Sequence, residues 1–551
     1  MLTPLPPAQW NRARAAHLLN RAGFGGTPDR IDEVTRLGVD GAVRAFVEGP
    51  AQPAIAERPA WAVPLNRAAF REKVRALVMS SGTAPADMLA MRNQAQQGDG
   101  AGALARANPQ TRMAIQQLRK EQNMQEQGHI VELTAWWLHR MATAADPLQE
   151  KLTLFWHGHF ATSAQKVRDA YAMWLQNQTF REHARGNFGA MTKAMSRDPA
   201  MIFWLDLQQS KVQHPNENFA RELMELFTLG EGNYTEKDVT EAARAFTGYR
   251  VDPQEGNFRF ALREHDFSPK TVLGRTANLQ GDDVVDLLLA QPACATFIAR
   301  KLWTFFAYEE PPAGVVAPLA DTLRTHRFEL KPMLWEMFRS AEFYSDRAVR
   351  TQIKSPVQWL LQTARTLEID LPGRPQFVLN ALRQLGQVPF VPPSVKGWDG
   401  GKSWISTASL LARYNLAGAL LMNPGNGGGG RGPLGGGGAG AGQGLGKFAD
   451  RMIDRNRQPL SSPSPTTAGN DPNASALDPT RVNLAKIAPL ELRGDPDTLV
   501  HALTVRLFQD ALGPKQHAAF VDYLNAQPRV DDTALTGLLH LMMSTPQFQL
   551  C

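Results

Sequence analysis

Pro215-Asn-Glu-Asn-Phe-Ala-Arg-Glu-Leu-Met-Glu-Leu-Phe-Thr-Leu-Gly230 is the stretch whose reading decides the fold. At about 100° per residue, Phe219, Ala220, Leu223, Met224, Leu226 and Phe227 fill one arc of a helix. Glu217, Asn218, Arg221, Glu222 and Glu225 fill the other. The apolar arc predicts burial and removes Met224 and Phe227 from any site. The polar arc admits two accounts. Arg221 is spaced to pair with Glu217 and Glu225 at i±4 on a solvated face. Alternatively, Asn218, Glu222 and Glu225 form a strip at i, i+4 and i+7. A buried carboxylate pair at i, i+3 suits a hard cation or acid–base chemistry.

Working outward, the same helical period recurs almost everywhere. Trp10 to Gly23 reads as a helix with a glycine stop, and Thr27-Pro28 opens the next one. Strong apolar helices fill about 129–208, 282–369 and 375–385. Thr235-Glu-Lys-Asp238 is a capping-box start to a helix that Gly248 ends. Only Asn257-Phe-Arg-Phe-Ala-Leu262 alternates like a strand. The fold class predicted is therefore all-α, a large multi-helix body with at most a short β-hairpin.

Residues 1–422 are expected to form the main helical domain, with the Gln- and Ala-rich span 84–127 as a long exposed helix, a mobile insertion, or both. Residues 423–481, mostly Gly and then Ser, Pro, Thr and Asn, lack the apolar surface to offset backbone entropy and read as a disordered, flexible linker. A short helix at Phe448–Arg455 is the one exception expected there. Residues 482–551 form a C-terminal helical segment predicted to pack back on the main domain. Within it, 497–548 echoes 296–344 in ending on a Ser-containing turn and an aromatic residue, which reads either as a repeated three-helix unit or as the ordinary likeness of amphipathic helices.

The charges, 59 basic against 53 acidic for a net +6, are interspersed, which argues against nucleic acid as a partner. Two cysteines, Cys294 and Cys551, make neither a disulfide framework nor a zinc pattern. Cys294 reads as a small buried apolar residue. No run of about 18 apolar residues suggests a membrane span. The first residues have neither a basic nor an apolar signal region, so the cytoplasm is the default expectation.

Three further pieces carry chemistry. His157 and His159, in Phe155-Trp-His-Gly-His-Phe160, point about 200° apart on a continuous helix. They can share a metal only if Gly158 breaks it, and otherwise they hydrogen-bond within an aromatic core. His265 and Asp266 precede a turn at Phe267-Ser268-Pro269, in a loop. Gly397-x-x-x-Gly401-Lys402-Ser403 is one residue short of a phosphate loop. It reads instead as a rigid Trp-bearing loop with Trp398 and Trp404.

These stretches, with His17-Leu-Leu-Asn-Arg-Ala-Gly-Phe-Gly25, Tyr234-Thr-Glu-Lys-Asp-Val239 and His265-Asp-Phe-Ser-Pro-Lys-Thr-Val-Leu-Gly274, resemble a large bacterial family. It is catalogued as a domain of unknown function (number 1800). The resemblance implies a helical fold and a gene neighbourhood shared with a sulfatase-like partner protein. It also implies that many relatives are exported to the periplasm or beyond. Many relatives carry His where this chain has Phe227, which weakens a ligand role at that position.

Two functions follow as expectations. In the first, a metal-assisted hydrolase, His157, His159, Glu222, Glu225 and His265 hold a divalent metal ion, with Glu217 and Asp266 as orienting groups or general base. In the second, the chain is a non-catalytic helical scaffold for a partner protein, and its histidines and glutamates form a buried structural network.

Overall fold

The computed structural model describes residues 1–50, 58–80, 109–371, 375–421, 482–509 and 512–551. The linker 423–481, with the helix expected at Phe448–Arg455, lies outside them, as does most of the insertion. The described end of that insertion is regular: from Pro109 the chain is one helix as far as Thr143. The all-α class holds, with two antiparallel hairpins rather than one. In the first, β1 (Tyr249–Val251) sets Tyr249 opposite Phe260 of β2 (Phe258–Phe260). In the second, β3 (Lys270–Val272) sets Lys270 opposite Ala277 of β4 (Arg275–Ala277). With three residues per strand, β3 and β4 are too short for alternation to show in the sequence.

The apolar side chains gather in two cores. One joins the N-terminal helices to the segments from Phe219 to Ala348, and the other joins Trp137, Trp359 and the C-terminal helices. The helix Pro147–His159 stands between them. Asp146 caps it, accepting from Gln149 N–H, and Pro147 occupies its first turn. It sends Leu148, Leu152, Phe155 and Trp156 into the first core and Leu154 into the second. One helix thereby ties the two halves of the molecule together.

The two units that echo each other share an element order. Pro292–Phe306, Ala313–Thr325 and Leu330–Arg339 lead to a 3₁₀ turn, Ala341–Tyr344. Pro496–Leu507, Pro514–Asn525 and Asp532–Met543 lead to another, Pro546–Gln549. Each turn is capped by a hydroxyl, Ser340 accepting from Phe343 N–H and Thr545 from Phe548 N–H. The caps seat Phe343 in the first core and Phe548 in the second.

The quoted stretch is not one regular helix. Asn218–Glu222 is α-helical, and Leu223–Thr228 widens into a π-turn. Leu229 N–H and Gly230 N–H both reach the Met224 carbonyl, and Thr228 Oγ1 donates to the Leu223 carbonyl at 2.6 Å. The apolar arc is buried as the period predicts except for a half-buried Leu226, but the wider turn breaks a strict i, i+4, i+7 strip beyond Glu222.

Candidate functional site: the histidine helix and the π-turn

The helix does not break at Gly158; it continues to His159. The two rings therefore leave it in different directions and make different bonds. Phe390 N–H donates to His157 Nε2 at 2.9 Å, so the lone pair of that ring is occupied and its proton sits on Nδ1. His159 Nε2 lies 3.0 Å from the Phe227 carbonyl, which only accepts, so here Nε2 carries the proton. His159 Nδ1 is buried without a hydrogen-bond partner. Two residues apart, the histidines hold opposite tautomers, each set by a backbone group.

Aromatic rings enclose both. His157 packs against Trp137, Phe390 and Trp398, with centroids 5.2, 5.1 and 5.8 Å away. His159 packs against Phe160 at 4.6 Å and Trp156 at 5.5 Å. Burial drives the His157 pKa down to about 3. Burial, with the Lys301 ammonium, holds His159 well below its usual value. Both are neutral at pH 7.

The loop after Phe390 closes this end of the helix. Gly397 has φ +84°, and a Cβ there would stand 2.4 Å from the Gly158 carbonyl oxygen. The approach of two backbones requires glycine. Lys301, which the sequence reading missed, reaches the same place from the helix Pro292–Phe306. Its Nζ is 3.4 Å from the Leu226 carbonyl of the π-turn and 5.0 Å from the Phe297 ring centroid. Burial, and then Lys396, lower it to about 8. No local motif marks Lys301; only tertiary packing brings it to the π-turn.

The carboxylates lie apart from the rings in their bonding. Glu217 accepts from Arg221 at 3.2 Å and from Thr240 at 2.8 Å, and Arg221 also pairs with Glu236. Glu225 accepts from the Tyr234 hydroxyl at 2.9 Å; burial, and then this bond, raise that phenol to about 12. Glu222 is half-buried; burial and then Glu225 raise its pKa.

His265 and Asp266 form a separate knot. His265 Nδ1 bonds the Thr247 carbonyl at 2.8 Å, and its Nε2 is buried without a partner. Burial pushes Asp266 up, yet hydrogen bonds from Ser268 and Arg244 prevail and hold it at about 2. The structure thus joins His159 to the π-turn, and places His157 on the Phe390 loop and His265 on Thr247. Among the described residues, no three His, Cys, Asp or Glu side chains gather as a group able to hold a metal ion.

Fold and site together define a predominantly helical protein whose buried histidines are bonded to its own backbone. The chain belongs to the family described as protein of unknown function DUF1800, whose model matches residues 17–550, nearly its whole length. No curated protein and no solved structure matches it. No helix among the described residues is long and apolar enough to cross a membrane.

Proposed function

We propose that this chain is a non-catalytic helical scaffold that binds a partner protein, its histidines serving as internal ties. The observation that carries this reading is the pair of opposed histidine–backbone bonds, Phe390 N–H to His157 and His159 to the Phe227 carbonyl. They use the imidazoles to fix the Phe390 loop and the π-turn to one helix. Glu217, Glu225 and Asp266 likewise accept from neighbouring side chains.

The partner half of the reading draws on the helix Thr407–Leu421. It buries Leu416, Ala417 and Leu420 yet leaves Leu410, Leu411 and Tyr414 exposed. A helix apolar on both faces is ordinarily covered on both. The sulfatase-like protein implied by the family resemblance is the candidate partner. Purified together, the two are expected to co-elute in size-exclusion chromatography, and Leu411→Glu is expected to weaken the complex at least tenfold. Separate elution at micromolar concentration contradicts the reading.

A second reading, the metal-assisted hydrolase, is favoured by one observation: His159 Nδ1 and His265 Nε2 are buried lone pairs without partners. The donor set does not otherwise fit a metal, because the His157 lone pair is taken and, among the described residues, no three candidate ligands converge.

A further inference from the structure

Four basic side chains are buried together on the other face of the histidine helix. Arg21, Lys151, Lys354 and Arg413 are 1%, 6%, 2% and 2% exposed. They come from four separate helices or loops; Lys354 and Arg413 bond Phe548 and Gln549, and Arg21 bonds Gln352, which also holds Cys551. Lys354 Nζ donates to the Phe548 carbonyl at 2.7 Å, and Lys354 N–H to the Gln549 carbonyl at 2.8 Å. Arg413 donates to Gln549 Oε1 at 3.1 Å and to the Lys354 carbonyl at 2.7 Å. Cys551 N–H donates to the Gln352 carbonyl at 2.9 Å, and Arg21 holds the side chain of the same Gln352. Lys151 donates to Gln358 and faces the rings of Phe24 and Phe305.

Among the described residues, every hydrogen-bond partner of these four cations is an amide or a carbonyl. Buried cations are ordinarily paired with an anion, because neutral dipoles offset only part of the lost hydration. Two donors are also left over: Arg21 Nε and Arg413 Nε are buried without any partner. We propose that Arg21, Lys151, Lys354 and Arg413 enclose an oxyanion site beside Cys551, filled by a carboxylate or phosphate group.

Guanidinium forks match the paired oxygens of such groups, which favours an oxyanion over a halide. The electrostatics agree. Burial lowers all four groups, Lys151 and Lys354 to about 7, as expected of cations that lose their hydration without a countercharge. If residue 551 carries a free main-chain carboxylate, that group and a free ion present the same chemistry to the four cations, and the test separates them.

Thermal unfolding of the full chain tests the site and separates its sources. Inorganic phosphate is compared with chloride at equal ionic strength. A Gly-Ser-Gly extension after Cys551 moves any carboxylate at that residue out of the cluster. Lys151→Met with Lys354→Met removes two cations at nearly constant length. For a free ion, phosphate raises the Tm of the parent chain by about 3 °C or more over chloride, and the double variant loses that gain. For the carboxylate at Cys551, the extension lowers Tm by a similar amount and phosphate restores it.

The proposal is overturned if phosphate and chloride give equal Tm in parent and extended chains, including the case of an extension whose damage phosphate does not repair. It is also overturned if the double variant melts above the parent, the result expected of cations with no counter-ion. Should the double variant fail to fold, the phosphate and extension comparisons on unsubstituted side chains decide.

Discussion

Glu150 and Lys151 are neighbours on the helix Pro147–His159, both buried, and they meet opposite surroundings. Glu150 accepts from Trp137 Nε1 at 3.0 Å, from Arg140 at 2.5 Å and from Arg181 at 2.6 and 3.0 Å. Burial pushes its carboxyl up, but the two guanidiniums outweigh that and hold it below its usual value. Lys151, one residue on, has an amide and two aromatic rings as its partners among the described residues. On one face the sequence supplies the countercharge from adjacent helices. On the other it supplies dipoles, and the balancing charge has to come from elsewhere. The histidine end of the same helix shows a third solution, in which burial keeps the group neutral and the backbone completes its hydrogen bonds.

These three solutions respond differently to pH. His157 stays neutral in the fold down to about 3, whereas unfolded it takes up a proton near 6.5. The unfolded state binds more protons in between, so the contribution is complete above pH 6.5 and is lost as pH falls toward 3. It is worth at most about 5 kcal/mol. Glu150, with its pKa lowered, loses its contribution as pH falls below the unfolded value near 4.5. With no anion bound, burial brings Lys151 and Lys354 to about 7 in the fold against about 10.5 unfolded, so stability rises with pH across that window; a bound oxyanion keeps both charged and flattens the rise. Urea unfolding is therefore expected to give lower stability at pH 4 than at pH 7, with little further change to pH 9.5 while the oxyanion is bound. A steep rise from pH 7 to 9.5 in phosphate breaks the contrast between the two faces.

Substitution sharpens the comparison next. Glu150→Ala leaves Arg181 buried without an acid and is expected to cost about 3–5 kcal/mol in equilibrium unfolding. A loss near zero would mean that Arg140 and Arg181 find water, and that the paired face is not special. At the histidine end, Gly397→Ala forces a side chain onto the Gly158 carbonyl at positive φ. About 2–3 kcal/mol is expected, with a change in the near-ultraviolet circular dichroism to which Trp398 contributes. Smallest is Glu222→Gln. Burial already disfavours this carboxylate, so the neutral amide is expected to change stability by less than about 0.5 kcal/mol. A large loss there would reveal a bound cation that Glu222 holds.

Much of the fold was legible because its signals are local. The arc Phe219, Leu223 and Phe227, the Thr235–Asp238 capping box and the paired three-helix units each rest on spacing within one segment. The π-turn was not, since Leu-Met-Glu-Leu-Phe-Thr carries no mark that separates it from an α-helix, and a wheel at 100° assumes the answer. The histidine pair shows the hazard of reading spacing alone. Its i, i+2 pattern suggests chelation, but the flanking Trp156 and Phe160 already signalled an aromatic core. Arg21, Lys151, Lys354 and Arg413 are scattered along nearly 400 positions of the sequence, and only tertiary packing makes them one cluster.

The central claim is that backbone groups of the chain, not a metal ion, engage Nε2 of His157 and of His159. Elemental analysis of protein purified after metal-replete expression tests it most directly, wild type beside His157→Ala and Glu222→Ala. The account predicts no stoichiometric metal in any of the three, with His157→Ala less stable by about 2–4 kcal/mol because Phe390 N–H loses its acceptor. One equivalent of a transition metal in the wild type, lost in either variant, would contradict it.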